Sequence, residues 1–558
     1  MRLNGGPAVP EADPQIDAPR LLGRWTGAIE VVWCVVLAIG PYLWRLASGT
    51  RRMPNDDTWA YERIYETFHE TGRIVLIDWN DITLVGMLPV TRAWVELVGY
   101  GPLQIHLLGS VMGLVSLLAL RSIMRTIRPD LTLLAILIFG TYSGFVVTTG
   151  TFMADQFALA GVLVSLALVI KVLTVERAGW VAGVLVVGAA LAAVYGFSVR
   201  QQTAIAAAAI GVVFLGARRR LWWGWLVYGA VYASIAGPFY LWRAGLPHGG
   251  TEMTHFNAPF LVAGLVVMAV ALSITLLPMV LAVDRERMAA PISVRVVSSI
   301  VAAVGVGLFD AETYVNDSLS VLRRVGDLPL LVRVGLAVVV VNLAISVVAA
   351  IARRRPPFGD DLGTVLVGAA GLVLLADVAT VVLASDYYPR YSLFLVVMML
   401  VAFAVSRPRV HSETKGRRLA LAMVGLLGLS AYWAMDGALA PLRAGQDAAE
   451  VTACVGIPPE RLDGGITWMG MHSTGVVVAH YWSRPTRDDG LPVTQHERIF
   501  PAAVRDAVLL FEPPEDLDDV ATTRIESGGM LPGNGITAWL VVREGRADEL
   551  ARCAGERR

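Results

Sequence analysis

The sequence predicts an all-α polytopic membrane protein carrying a small extracytoplasmic α/β domain at its C-terminal end. Three observations lead there. Of the 558 residues, 55% are hydrophobic and only 16% charged, and the mean hydropathy is +0.60, more apolar surface than a soluble chain of this size needs. The apolar residues fall into discrete runs separated by arginine-rich or nearly charge-free turns. Beyond residue 438 the composition shifts toward Asp, Glu, Pro and Gly, and short β-like runs appear. A net charge of zero gives no basic field for nucleic acid. The three cysteines, Cys34, Cys454 and Cys553, are too few and too scattered for a zinc site.

In chain order, residues 1–28 form a polar tail with Arg2, Arg20 and Arg24, longer than the charged region of a signal peptide, and lead into an uncleaved first span at 29–47. An acidic loop occupies 51–101. Apolar runs follow at 102–120, 131–147, 157–173, 180–197, 203–216, 221–242, 260–283, 296–309, 334–351, 365–383, 391–405 and 419–435. With the first, these make about thirteen spans. Those at 203–216 and 296–309 are short, as is tolerated where a helix lines a cavity or is buried in protein. Residues 82–98 are apolar enough to cross, and counting them would invert every later turn. Arginine placement decides: with 82–98 lying along the surface, Arg121, Arg125 and Arg128, the triplets Arg218–Arg220 and Arg353–Arg355, and Arg285 and Arg287 all face the cytoplasm, as the positive-inside rule requires. The N-terminus is then cytoplasmic, and the acidic loop and residues 439–558 are extracytoplasmic.

The most informative stretch runs from Met53 to Glu62. It places adjacent carboxylates, Asp56 and Asp57, at the start of a short helix that Asn55 or Asp56 can cap. Tyr61, Ile64, Tyr65 and Phe68 follow at the spacing of one helical face, and Gly72 stops the helix. A solvated loop needs no carboxylate pair beside Trp59 and Tyr61 at a membrane surface, so this pair reads as the catalytic centre of a membrane enzyme. Other polar residues gather at the same ends of the spans: Thr151-Phe-Met-Ala-Asp155, Arg200-Gln-Gln-Thr203 and Tyr388-Pro-Arg390-Tyr391. Together they suggest one aqueous cavity facing outward. Asp377, near the outer end of its span, is costly to bury alone and so faces that cavity. Asp78 and Asp81, with His69, could hold an acceptor or a magnesium or manganese ion, although no spacing enforces a metal site. In the tail, Gly464 to His472 reads as a turn feeding a buried strand. Residues 475–482, 506–511 and 538–542 read as strands and 544–553 as a helix. Cys454 and Cys553, near the two ends of the tail domain, could clamp it with a disulfide in an oxidising compartment or stay as two free buried thiols.

The acidic pair, Gly72, Thr151 to Asp155, Arg200 to Thr203 and Tyr388 to Tyr391, in that order on a many-span chain with a C-terminal extracytoplasmic domain, resemble the GT-C class of membrane glycosyltransferases. The similar branch contains the bacterial relatives of protein mannosyltransferases (family 39) and of the lipid A aminoarabinose transferase. Members commonly have Thr-Asp where this chain has Ala154-Asp155. The resemblance implies transfer of a sugar from a polyprenyl-phosphate carrier to a glycan, lipid or protein acceptor at the outer face of a bacterial inner membrane. It gives Asp56 or Asp57 the role of base, and departing phosphate charge would be met by Arg200 and Arg390 or by a divalent metal. Asp155 joins His69, Asp78 and Asp81 as an acceptor or metal contact. A transporter or flippase of lipid-linked sugars, with the carboxylates coupling ions, is the competing reading. It would favour charges at mid-membrane and repeated halves, whereas the acids here cluster on one face.

Overall fold

The computed structural model describes residues 20–50, 57–77, 82–174, 179–217, 222–246, most of 268–282, 361–384, 389–405, 414–473, 491, 500, 503–514 and 520–555. Within these the chain is mostly helical. The expected spans at 296–309 and 334–351 and the expected strand at 475–482 lie outside the described residues, as do Asp56, Asp78 and Asp81.

Five helices among the described residues are long and apolar enough to cross a bilayer: Thr26–Ala47, Pro102–Ile127, Ala154–Thr174, Trp180–Val199 and Gly416–Cys454. Four shorter apolar helices accompany them, among them Thr203–Phe214 and Arg390–Val405. The chain is a multi-pass membrane protein. Leu134, Phe139, Leu166, Ala190, Phe214 and Val397 belong to the core between these helices, while the lipid-facing sides keep Val32, Trp180, Leu226 and Leu429 exposed. Small residues let the helices approach closely. A side chain at Gly161 would press on the backbone of the Trp180–Val199 helix, and one at Gly109 would clash with Thr151 O.

The run at 131–147, expected to be one span, is two helices, α5 (Thr132–Gly140) and α6 (Ser143–Thr148). Tyr142 is extended between them (φ −63°, ψ 130°), and at the break Ile138 O accepts from Thr141 Oγ1 (3.2 Å) and Phe139 O from Tyr142 N (3.1 Å). Earlier in the chain come α1 (Arg20–Ala47), α2 (Thr58–Thr71), α3 (Met87–Val98) and α4 (Pro102–Ile127). The ambiguous segment 82–98 contributes only the 12-residue α3, too short to cross. Its leading residues are stitched to the end of the Trp180–Val199 helix: Leu84 N donates to Val199 O (2.8 Å), Gly86 N to Ser198 O (2.9 Å), and Thr83 Oγ1 to Phe197 O (2.7 Å).

At the C-terminal end, helix Ala440–Cys454 leads into a four-stranded sheet, β1 (Leu462–Asp463), β2 (Ala507–Leu510), β3 (Val520–Ser527) and β4 (Ile536–Arg543), in the order β1-β2-β4-β3. β1 runs parallel to β2; the other pairs are antiparallel. The runs at 506–511 and 538–542 are strands as expected, and the closing helix is Ala547–Gly555. Leu462, Ala507, Leu540 and Leu550 pack with the helix residues Ala444 and Val451 into a core separate from the bundle. Cys454 and Cys553 are joined by a disulfide, with Cα atoms 6.0 Å apart. Asp436, fully buried at the end of the Thr414–Ala438 helix, accepts from Arg443 Nη1 (3.1 Å), Leu531 N (2.9 Å) and Asn534 Nδ2 (3.1 Å), fixing the β3–β4 connection against the bundle. The stretch Gly464 to His472 is not a turn feeding a strand: Ile466–His472 is a helix. Its Met469 is buried in the cluster around α2, so a tertiary contact decides its conformation.

Candidate active site

Helix α2 is the centre of the site. It begins at Thr58, with Asp57 in the N-cap position but making no side-chain cap bond, so the carboxylate is turned to other partners. Trp59, Tyr61, Ile64 and Tyr65 are buried, and Phe68 packs against the same cluster. Gly72 closes the helix in the left-handed region (φ 68°), which favours glycine. The helix is anchored to the bundle by Glu62, 2.6 Å from His106 of α4, and by Thr58 Oγ1, which donates to Met153 Sδ at 3.2 Å.

Asp57 faces Arg390, with Oδ2 2.7 Å from Nη2. Arg390 lies in the short 3-10 turn Pro389–Ser392, which delivers it from the start of the Leu393–Val405 helix. Arg200, at the C-terminal cap of the Trp180–Val199 helix, pairs with Asp155 and donates from Nε to Gln202 Oε1 at 3.0 Å. Burial opposes the Arg200 charge, but Asp155, Tyr391 and Tyr61 together more than offset this and raise its pKa. The two guanidiniums share an aromatic partner: Arg200 Cζ lies 5.0 Å from the centre of the Tyr391 ring and Arg390 Cζ 5.6 Å from it. Tyr61 is held well above the ordinary phenol range, by burial first and by Asp57 second, so its hydroxyl stays protonated.

A cavity of about 80 Å³ opens beside these groups, lined by Asp155, Arg200, Gln202, Asp377, Arg390 and Tyr391 among others. Asp377 does face it. The arrangement can bind an anion at the guanidiniums, one of which also holds the Asp57 carboxylate. Asp155 comes from the first turn of its helix, in a backbone ordered by Gln156 Nε2, which donates to Thr148 Oγ1 (2.7 Å) and Thr149 Oγ1 (2.8 Å).

Of the residues singled out in the sequence, Asp57, Asp155, Arg200 and Arg390 come together here. His69 does not. It stacks on Tyr100 (4.9 Å between ring centres) and on Tyr65 (5.8 Å), near the other end of α2. A second cavity, of about 180 Å³, lies on that flank between Trp59, Glu62, Glu66, Tyr100 and Met471. Tyr100 is raised to about 12 there, chiefly by burial and then by Glu66 and Glu62. Sequence reasoning passed over His106 and Arg63. Arg63 donates from Nη1 to Gly470 O (2.9 Å) and Ser473 O (2.7 Å), partners more than 400 positions away that no local pattern signals. Among the described residues no three or more His, Cys, Asp or Glu side chains are grouped to hold a metal ion.

No family model matches the chain, and no curated protein matches it. Its structure is similar to that of ArnT from Cupriavidus metallidurans. The undecaprenyl phosphate-bound form is 15% identical, with 80% of this chain and 85% of that chain covered and a TM-score of 0.37. The apo form is 14% identical, with 94% and 99% covered and a TM-score of 0.41. The archaeal oligosaccharyltransferase AglB from Archaeoglobus fulgidus, in complex with an inhibitory peptide and a dolichol-phosphate, is 10% identical over 77% of this chain and 58% of its own, with a TM-score of 0.41.

Proposed function

We propose that this protein is a membrane glycosyltransferase that moves a sugar from a polyprenyl-phosphate carrier to a hydroxyl acceptor, with inversion, at the extracytoplasmic face of a bacterial inner membrane. The observation that carries the reading is the convergence of Arg200 and Arg390 on Tyr391 with the Asp57 carboxylate held on Arg390. The donor's lipid tail stays in the bilayer, which puts its phosphate at the level where the spans end. Arg390 and Arg200 meet that phosphate, and a donor oxygen on Arg390 replaces one of its bonds to Asp57. The carboxylate is then free to take the proton of the acceptor hydroxyl as its oxygen attacks the anomeric carbon. The carbon–oxygen bond to phosphate breaks in the same displacement, and the lipid phosphate leaves with one more negative charge, which the guanidiniums stabilise. A magnesium or manganese ion, if bound, would add positive charge at that oxygen. Asp56 stays as the neighbouring acid, and Asp155 serves to hold Arg200. About thirteen spans, a cytoplasmic N-terminus and an extracytoplasmic domain at 439–558 complete this reading.

Membrane vesicles from cells expressing the chain, given radiolabelled undecaprenyl-phosphate sugars, test it. Label is expected to pass to an acceptor, and Asp57→Asn to lower that rate by about 10²- to 10⁴-fold, the usual worth of a general base. A rate unchanged in Asp57→Asn would remove the base assignment. Label moved across the bilayer with the sugar–phosphate bond intact would instead favour transport.

A further inference from the structure

We infer that the segment Ile466–Ser473 is a positioning clamp for the helix that carries Asp57, with Arg63 and Gly470 as its two working contacts; this rests on the glycosyltransferase reading only for its effect on turnover.

The helix Ile466–His472 has only seven residues and gives way at Ser473 to extended backbone. Arg63, projecting from the second turn of α2, meets this end, where intrahelical donors run out: one guanidinium nitrogen donates to Gly470 O in the last turn and to Ser473 O just beyond the helix. A cation at a helix C-terminus is also favoured by the helix dipole. One turn back, Trp59 is fully buried and lies directly against Gly470. A Cβ added at Gly470 would clash with Cδ2 of the Trp59 indole and stand 2.6 Å from Cε3, so only glycine admits this approach without moving the indole. Phe500 closes the other side, its ring centre 5.8 Å from that of Trp59. Trp59 is two residues from Asp57 and Arg63 is six away on the same helix, so a shift at either contact is carried to the carboxylate. Glu62 on His106 and Thr58 on Met153 tie α2 to the bundle. The Ile466–Ser473 segment ties it to the C-terminal sheet region, because Gly464 and Gly465 connect it directly to β1, and Phe500, a few residues before β2, adds a second contact at Trp59. The C-terminal region thereby acts as part of the catalytic apparatus, through Trp59 and Arg63, without touching the reacting atoms.

The test uses the full chain in membranes, with undecaprenyl phosphate bearing radiolabelled glucose, mannose or arabinose as donors, and with amide hydrogen exchange of residues 57–68 as a second readout. Arg63→Ala and Gly470→Ala are expected to lower kcat by about 10- to 100-fold, the cost of a small misplacement of a reacting group. KM for the lipid donor is expected to stay within about twofold, since the arginine cavity is untouched. Exchange of the α2 amides is expected to rise about tenfold or more in both variants. Arg63→Lys, which keeps a donor for the same carbonyls, and Trp59→Phe combined with Gly470→Ala, which restores room, are expected to recover most of both readouts. Unchanged kcat and unchanged exchange in Arg63→Ala and Gly470→Ala would overturn the inference, as would a loss confined to KM. If the wild-type chain transfers label from none of the donors, the glycosyltransferase reading fails. The exchange measurement then still decides whether the clamp exists.

Discussion

At the scale of the residue, Arg200 and Arg390 are not equivalent. Arg200 is tied to Asp155 and Gln202 and stacked on Tyr391, a set that keeps its guanidinium in place before any ligand arrives. Arg390 is bonded to Asp57, so under the proposed mechanism a phosphate on Arg390 would compete with the carboxylate for it. Arg390→Gln is therefore expected to reduce both binding of undecaprenyl phosphate and transfer. The transfer rate should fall about 10²- to 10³-fold, as for loss of one preorganised donor to a developing anion. Asp155→Asn is expected to be milder, weakening the hold on Arg200 without removing its charge. Binding measured with radiolabelled undecaprenyl phosphate and transfer measured in vesicles check both. Equal losses in the two variants would contradict this division of roles.

Among the elements, the C-terminal sheet and its flanking helices pack around Leu462, Trp468, Leu509, Ile525 and Leu540, and the Cys454–Cys553 disulfide closes a loop of 99 positions around them. Cross-linking a loop of that length removes much of the unfolded chain's freedom, and losing such a bond typically costs about 2–5 kcal/mol. Cys454→Ser with Cys553→Ser is expected to lower the melting temperature of residues 440–555 while leaving the bundle helices intact. Limited proteolysis with and without a thiol reductant reads this out: cleavage after Ser473 should rise only in the variant or the reduced protein.

For the whole molecule, the proposed topology puts α2 and the sheet region on the outer side of the membrane and the arginine-rich turns on the cytoplasmic side. Arg73 and Lys171 are both exposed in the structure, at opposite ends of this scheme. A cysteine at Arg73 is expected to react with a membrane-impermeant maleimide added outside intact cells. One at Lys171 is expected to react only after the membrane is opened. The reverse pattern would place α2 in the cytoplasm and end the extracytoplasmic reading.

Composition, apolar runs and arginine bias were enough to fix this protein as a chain threaded repeatedly through lipid, because a bilayer imposes length and polarity on each crossing segment independently of its neighbours. The acidic helix was legible for a similar reason: its apolar face and its closing Gly72 are local properties, visible within fifteen residues. Which groups meet was not legible. The pairing of Asp155 with Arg200 and of Asp57 with Arg390, and the helix Ile466–His472 in place of an expected turn, with Met469 buried in the cluster around α2, depend on partners far away in sequence. Only the folded chain brings Arg63 to the end of that helix, because buried charges and frayed helix ends take whichever partners the packing delivers, and packing is a property of the assembled bundle.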